Sequence, residues 1–152
     1  LDVARQCPDI AFTLVINRGD GDVEREVREN LPNNVRLVDY VPRDEMPRWF
    51  REARLFLSTG NPDFEGFPNV LLEAAASGTP IASLEDFDGF IVRSGCGETS
   101  NGETSALAEI VRSLLSSPSK WEECSHCGQQ YVRDHHSVSE VVDQLRAVLT
   151  EQ

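Results

Sequence analysis

The first apolar run, residues 10–16 (IAFTLVI), is short and partly β-branched and predicts a buried strand. The turn-rich Asn17-Arg18-Gly19-Asp20-Gly21 follows, then an acidic helix over residues 22–31 that Pro32-Asn33-Asn34 ends. A second strand over residues 35–41 closes at Pro42, and a helix covers residues 44–53, where Pro47 fits only in the first turn. Residues 54–58 (RLFLS) predict a third strand. A polar loop over 59–66 leads to a helix from Pro68 to Ser77, which Gly78 caps, and residues 79–84 make a fourth strand. Strands alternating with helices of about ten residues predict a parallel sheet with right-handed crossovers.

Beyond Leu84 the rhythm turns helical. A short helix is expected over residues 88–94 and a small strand over 96–99. Residues 104–116 place Leu107, Ile110, Val111, Leu114 and Leu115 on one stripe. Another helix follows Pro118, and Ser137-x-x-Glu140 is a capping box that opens the last one. In that last helix Val138, Val141, Val142, Leu145, Val148 and Leu149 share a face. Residues 138–145 are expected to pack on the domain, with the last turn near Leu149 less protected; self-association through this helix is another outlet for the stripe, and sustained exposure the least expected one. There is no internal repeat or low-complexity stretch. The expected fold class is therefore α/β: one Rossmann-like domain over residues 1–152, a parallel sheet flanked by helices, with a helical C-terminal end.

Composition narrows the classes of function. At 152 residues the chain can bury a core without staples. A net charge of −12 argues against broad capture of nucleic acid or an anionic membrane surface. Thirteen of the fourteen basic residues are Arg, the exception being Lys120. No apolar run approaches the roughly 18–20 residues of a spanning helix, and no signal peptide opens the chain; the expected location is the cytoplasm, free or peripheral to the inner membrane. Leu1 has no Met before it, so a piece of a longer protein is expected. Cys7, Cys96, Cys124 and Cys127 do not form a secreted disulfide framework and suit a reducing compartment. Cys124-Ser-His126-Cys127 with His135-His136 has the residue types of a zinc site. The adjacent histidines on a helix point apart, however, and packing is the better reading, so no metal is expected.

The segment Glu65-Gly-Phe-Pro-Asn-Val-Leu-Leu-Glu73 carries the candidate chemistry. Pro68 is pre-set for a first helical turn, and Gly66 lets backbone approach a ligand closely. The amides of Phe67, Asn69 and Val70 would point out of a helix N-terminus, a ready anion site. Glu65 stands just outside that start, and Glu73 lies roughly 7–8 Å inside it. Carboxylates flanking a phosphate site suit a ligand with hydroxyls on both sides of its phosphates, such as a nucleotide-sugar.

This segment resembles the Glu-x7-Glu signature of retaining glycosyltransferases of the GT-B fold, family 4 in particular. The resemblance continues through Val35-Arg-Leu-Val-Asp-Tyr-Val41-Pro, Leu55-Phe-Leu-Ser58, Ala76-Ser-Gly-Thr-Pro-Ile81, Gly95-Cys-Gly97 and Tyr131-Val-Arg-Asp-His-His-Ser137. It implies the C-terminal, donor-binding half of a metal-independent hexosyltransferase that takes a UDP-, GDP- or ADP-sugar. The acceptor, a glycan, lipid or small molecule, would be held by an N-terminal domain that this chain lacks. The resemblance makes Glu65 the catalytic carboxylate, positioning and stabilising the donor sugar. It gives sugar and phosphate to Gly66, Phe67, Pro68, Asn69 and Val70, ribose to Glu73, and the nucleobase to Tyr40 and Val41. The loop holding Gly19 and Gly21 replaces the family's Gly-x-Gly turn and has no assigned role.

Three departures stand out. Nothing before Ala11 can be the family's first strand and its Arg/Lys diphosphate loop. The loop Thr59-Gly-Asn-Pro-Asp-Phe64 is longer than usual, and Glu85-Asp-Phe-Asp-Gly-Phe90 varies the common Gly-Gly-x-x-Glu stretch. They keep open a catalytically silent domain derived from such an enzyme. A dinucleotide-binding oxidoreductase module would need GxGxxG after the first strand, which Asn17-Arg-Gly-Asp-Gly21 does not supply.

Overall fold

The computed structural model describes residues 1–16 and 21–150. The elements run α1 (Asp2–Gln6), β1 (Phe12–Val15), α2 (Gly21–Glu29), β2 (Val35–Val38), α3 (Met46–Glu52), β3 (Phe56–Ser58) and α4 (Asn69–Ala76). They continue with β4 (Ile81–Ser83), a 3-10 turn (Phe87–Gly89), α5 (Phe90–Ser94), β5 (Gly97–Thr99), α6 (Thr104–Ser116), α7 (Pro118–His135) and α8 (Val138–Thr150). Every strand pairing is parallel: β1 with β2 in one ladder, and β3-β4-β5 in a second. The α/β class expected from the sequence is observed.

Apolar side chains bridge the two ladders. Phe12 of β1 and Leu57 of β3 pack on the cluster formed by Ala82, Leu107, Ala108, Val111 and Leu114. The stripe read on residues 104–116 is the buried face of α6. A second cluster, with Phe50, Leu71, Ala74, Ile81, Phe90 and Cys96, fills the other side of β4. β4 is buried along its length, as a central parallel strand should be.

The start of the chain departs from expectation, because α1 was not foreseen. Asn34 ties it down, donating its side-chain amide to the carbonyls of Ala4, Cys7 and Ile10 at 2.9 Å each. Val3 and Cys7 then join the α6 cluster.

α4 is held from both sides. Thr79, just past its C-terminus, donates its hydroxyl to the carbonyl of Phe50 in α3 at 2.6 Å. Ser125 of α7 donates to the carbonyl of Gly78 at 2.7 Å. Gly78 has φ +77, the left-handed turn that ends a helix and that glycine adopts without strain. α7 approaches closely because Gly128 has no side chain: a Cβ there would lie 2.7 Å from Cβ of Cys96 and 3.4 Å from Cβ of Ala75.

The last helix corrects the sequence expectation. α8 forms behind its capping box, with Glu140 N–H donating to the Ser137 hydroxyl at 3.3 Å, but none of its residues is buried. Val138 is 82% exposed and Leu145 58%. The helix's main packing partner is α7, and residues 138–145 do not cover the domain. Among the described residues, no helix is long and apolar enough to cross a membrane.

Candidate functional site

Because β3, β4 and β5 are parallel, their C-terminal ends share one edge, where ligands of open α/β sheets sit. The β3–α4 connection leaves that edge at Ser58, and the β4–α5 connection leaves it beside Ser58, since Leu84 N–H donates to the Ser58 carbonyl at 2.8 Å. The two connections touch twice more. The Glu65 carboxylate and the Phe87 ring both lie against Gly60, where a Cβ would have to displace them. Farther on, the rings of Phe67 and Phe90 meet edge to face at 5.4 Å. Gly60 and Phe87 escaped the sequence reading, because a loop glycine five residues before Glu65 carries no periodic signal.

α4 starts one residue later than expected. Pro68 is its N-cap (φ −78, ψ 114), without a side-chain cap, and Asn69 is the first helical residue. The Leu71 N–H donates to the Pro68 carbonyl at 3.0 Å. That leaves the amides of Asn69 and Val70 in a first turn that supplies them no intrahelical acceptor. Both residues are exposed. Pro68 cannot donate at all. A Cβ on Gly66 would meet nothing within 4 Å, so the protein's own packing does not demand a glycine there; the space beside it is open.

Leu71, Ala74 and Ala75 anchor the buried face of α4. Glu73 is half-buried one turn inside the helix, and among the described residues no side-chain hydrogen bond or ion pair engages its carboxylate. Glu65 is exposed, and its N–H donates to the Asn61 carbonyl at 3.2 Å. One loop and one helix thus carry Glu65, Gly66, Phe67, Pro68, Asn69, Val70 and Glu73, with the Phe67 side chain turned into the aromatic packing rather than left free.

Tyr40 and Val41 follow β2. Tyr40 is 68% exposed and Val41 is buried. The chain then enters α3, whose Phe50 packs in the same cluster as Leu71 of α4. Gly21 opens α2, and Gly19 lies outside the described residues. Three of the four thiols meet behind the site, where α7 crosses the α5–β5 turn. Cys96 lies against Gly128, Cys127 against Gly95, and Cys124 is buried one turn before Gly128. Burial pushes the Cys96 thiol up to about 11, and raises those of Cys124 and Cys7 as well.

Residues 2–117 match the family model described as glycosyl transferases group 1. The chain belongs to this family. Among curated glycosyltransferases it is 29% identical to the phosphatidyl-myo-inositol mannosyltransferase of Mycobacterium leprae (strain TN), over 94% of this chain and 38% of that protein. It is 36% identical to the amylovoran biosynthesis glycosyltransferase AmsK of Erwinia amylovora over 49% of this chain and 20% of that protein. The chain therefore spans well under half the length of these curated relatives. The fold superposes on Anabaena Alr3699/HepE, solved in complex with UDP, with a TM-score of 0.81 and 21% identity, covering 99% of this chain and 44% of that one. The architecture is that of a C-terminal domain of a GT-B glycosyltransferase, as the sequence resemblance implied.

Proposed function

We propose that this chain is the donor-binding half of a retaining glycosyltransferase that moves a hexose from a nucleoside diphosphate to an acceptor hydroxyl. The observation that carries the reading is the Glu65–Glu73 segment: an α4 N-terminus whose first two residues are exposed and which has no side-chain cap, on the connection from the C-terminal strand edge, with Glu65 before it and Glu73 within it. Membership of the glycosyl transferases group 1 family supports it, as does a structural neighbour solved with UDP.

In this reading the diphosphate lies at the amides of Asn69 and Val70. There fixed N–H dipoles and the helix terminus meet leaving-group charge without reorganising, and no metal is called on. Gly66 leaves space for the ligand, while Phe67 and Pro68 shape the turn. Glu65 accepts hydrogen bonds from donor-sugar hydroxyls, orienting the sugar and stabilising the charge that develops on it. Glu73 takes the ribose hydroxyls. Tyr40 and Val41 present backbone groups to the base, with the exposed Tyr40 ring beside them. The departing phosphate helps to remove the acceptor proton on the face from which it leaves, which retains configuration. The acceptor belongs to a second domain, and catalysis needs both substrates held in register.

Titration of the chain with UDP, GDP and ADP, followed by amide shifts, tests this. One of the three is expected to bind at submillimolar to millimolar strength and to shift the amides of residues 67–70. If none binds, the catalytically silent domain becomes the better reading.

A further inference from the structure

Phe64 is 88% exposed, more than any other large apolar side chain among the described residues. It stands one residue before Glu65, at the tip of the β3–α4 connection. Asn61 pins that tip with three hydrogen bonds: its carbonyl accepts from the N–H of Phe64 at 3.0 Å and of Glu65 at 3.2 Å, and its side-chain oxygen accepts from the N–H of Asp63 at 2.9 Å. The ring is therefore displayed by an ordered turn. A place for an aromatic ring exists nearby, against Gly60, and Phe87 occupies it at 3% exposure. An exposed aromatic next to Glu65 in sequence, on the connection that leaves the edge where ligands bind, is free to take an apolar partner from outside the chain.

We propose that Phe64 is a specificity residue whose ring covers the C–H face of the donor's hexose. The inference rests on the donor-binding reading above and adds to it the contact that distinguishes a nucleotide-sugar from a bare nucleotide. A pyranose has a rim of hydroxyls and a face of C–H bonds. With phosphate at Asn69 and Val70, the sugar extends back along the chain toward residues 64 and 65. There the Glu65 carboxylate accepts from the rim, and the Phe64 ring removes the C–H face from water. Donors whose pyranose carries an axial hydroxyl on that face lose the contact.

The test is a calorimetric titration of the 152-residue chain with UDP, GDP and ADP, and with UDP-glucose, GDP-mannose and ADP-glucose. For the base that binds, the sugar conjugate is expected to bind more tightly than the bare diphosphate. Phe64→Ala is expected to weaken the conjugate roughly five- to thirtyfold while changing the bare diphosphate by less than about twofold, and Phe64→Trp to retain the conjugate's affinity. Because Phe64 is exposed, the variants should fold as the parent does. If the bare diphosphate binds but no conjugate gains over it, or Phe64→Ala weakens both equally or neither, the role of Phe64 is overturned and the donor-binding reading stands. If no nucleoside diphosphate binds the parent, the donor-binding reading falls and takes this inference with it.

Discussion

Substituting Gly128 by alanine sets two effects of opposite sign against each other at the contact that clamps the motif helix. Gly128 lies within the 18-residue α7. At an open helical site the change would add about 0.8–1 kcal/mol of helix propensity. The new methyl, however, would stand 2.7 Å from Cβ of Cys96 and 3.4 Å from Cβ of Ala75. These are first side-chain atoms, so no rotamer change moves them. The Cys96 backbone is fixed where its carbonyl accepts the Ile81 N–H at 3.0 Å, and Ala75 is fixed within α4. Relief requires α7 to lift off α4 and the α5–β5 turn, and overpacking of this kind costs about 1–3 kcal/mol. At 2.7 Å, closer than Cβ atoms ordinarily approach, the upper part of that range, about 2–3 kcal/mol, applies. Crowding wins, with a net loss of about 1–2 kcal/mol, or roughly 2–4 °C of melting temperature for each kcal/mol in a domain this size. Urea denaturation followed by far-UV circular dichroism and by the fluorescence of Trp49 and Trp121 would measure it, with the m-value unchanged. Gly21→Ala is the control, since a Cβ there meets nothing within 4 Å; it should be neutral or stabilising. A Gly128→Ala protein as stable as the parent would show that α7 does not cross Cys96 this closely.

Most of the other expectations concern stability. Burial raises the Cys96 pKa from the ordinary 9.0 to about 11, so the stability it contributes is intact below pH 9 and is lost as pH rises through 11. The loss is about 2–3 kcal/mol, and Cys96→Ala should flatten that alkaline slope in pH-dependent unfolding. Gly78→Ala forces an L side chain to φ +77 and crowds Gln129 and Ser125; denaturation should show a loss of about 1–2 kcal/mol. Ending the chain at Ser137 should leave the stability of the remainder within about 0.5 kcal/mol, because α8 buries no residue. Amides of residues 141–150 should exchange far faster than those of α6. Protection of α8 matching α6 would show that its apolar stripe is covered after all. The 152-residue chain alone should show no sugar transfer above a Glu65→Ala control in a donor-consumption assay.

The order of elements was legible because each strand from β1 to β3 is a short apolar run soon followed by Asn, Pro or Gly, because β4 is a short apolar run between Pro80 and the acidic Glu85-Asp86, and because α6 shows its buried stripe openly. The motif helix was legible from Pro68 and Gly78, although Pro68 proved to be the cap rather than the first helical residue. What escaped depends on contacts distant in sequence. α1 has five residues, too few for a periodic signal, and is held by Asn34 and α6. The close approaches at Gly60 and Gly128 are invisible until two segments meet, as is the gathering of Cys96, Cys124 and Cys127 at one crossing. For α8 the sequence shows an apolar face but not what lies opposite, and within this chain that face stays open. In the site, Glu65 to Glu73 could be read as a unit because they are neighbours in sequence. The exposure of Tyr40 and Phe64 is a property of the folded surface and could not.

The claim that the α4 N-terminus and Glu73 hold a nucleoside diphosphate is tested most directly by comparing the parent and Glu73→Ala in titrations with the nucleotide that binds. Glu73 is half-buried without a side-chain partner among the described residues, so its removal should spare the fold. If its carboxylate accepts the ribose hydroxyls, its loss costs about 1.5–3 kcal/mol, a roughly 10- to 150-fold weaker complex. Equal affinity in the two proteins would contradict the ribose assignment and, with it, the direction in which the donor is laid across this site.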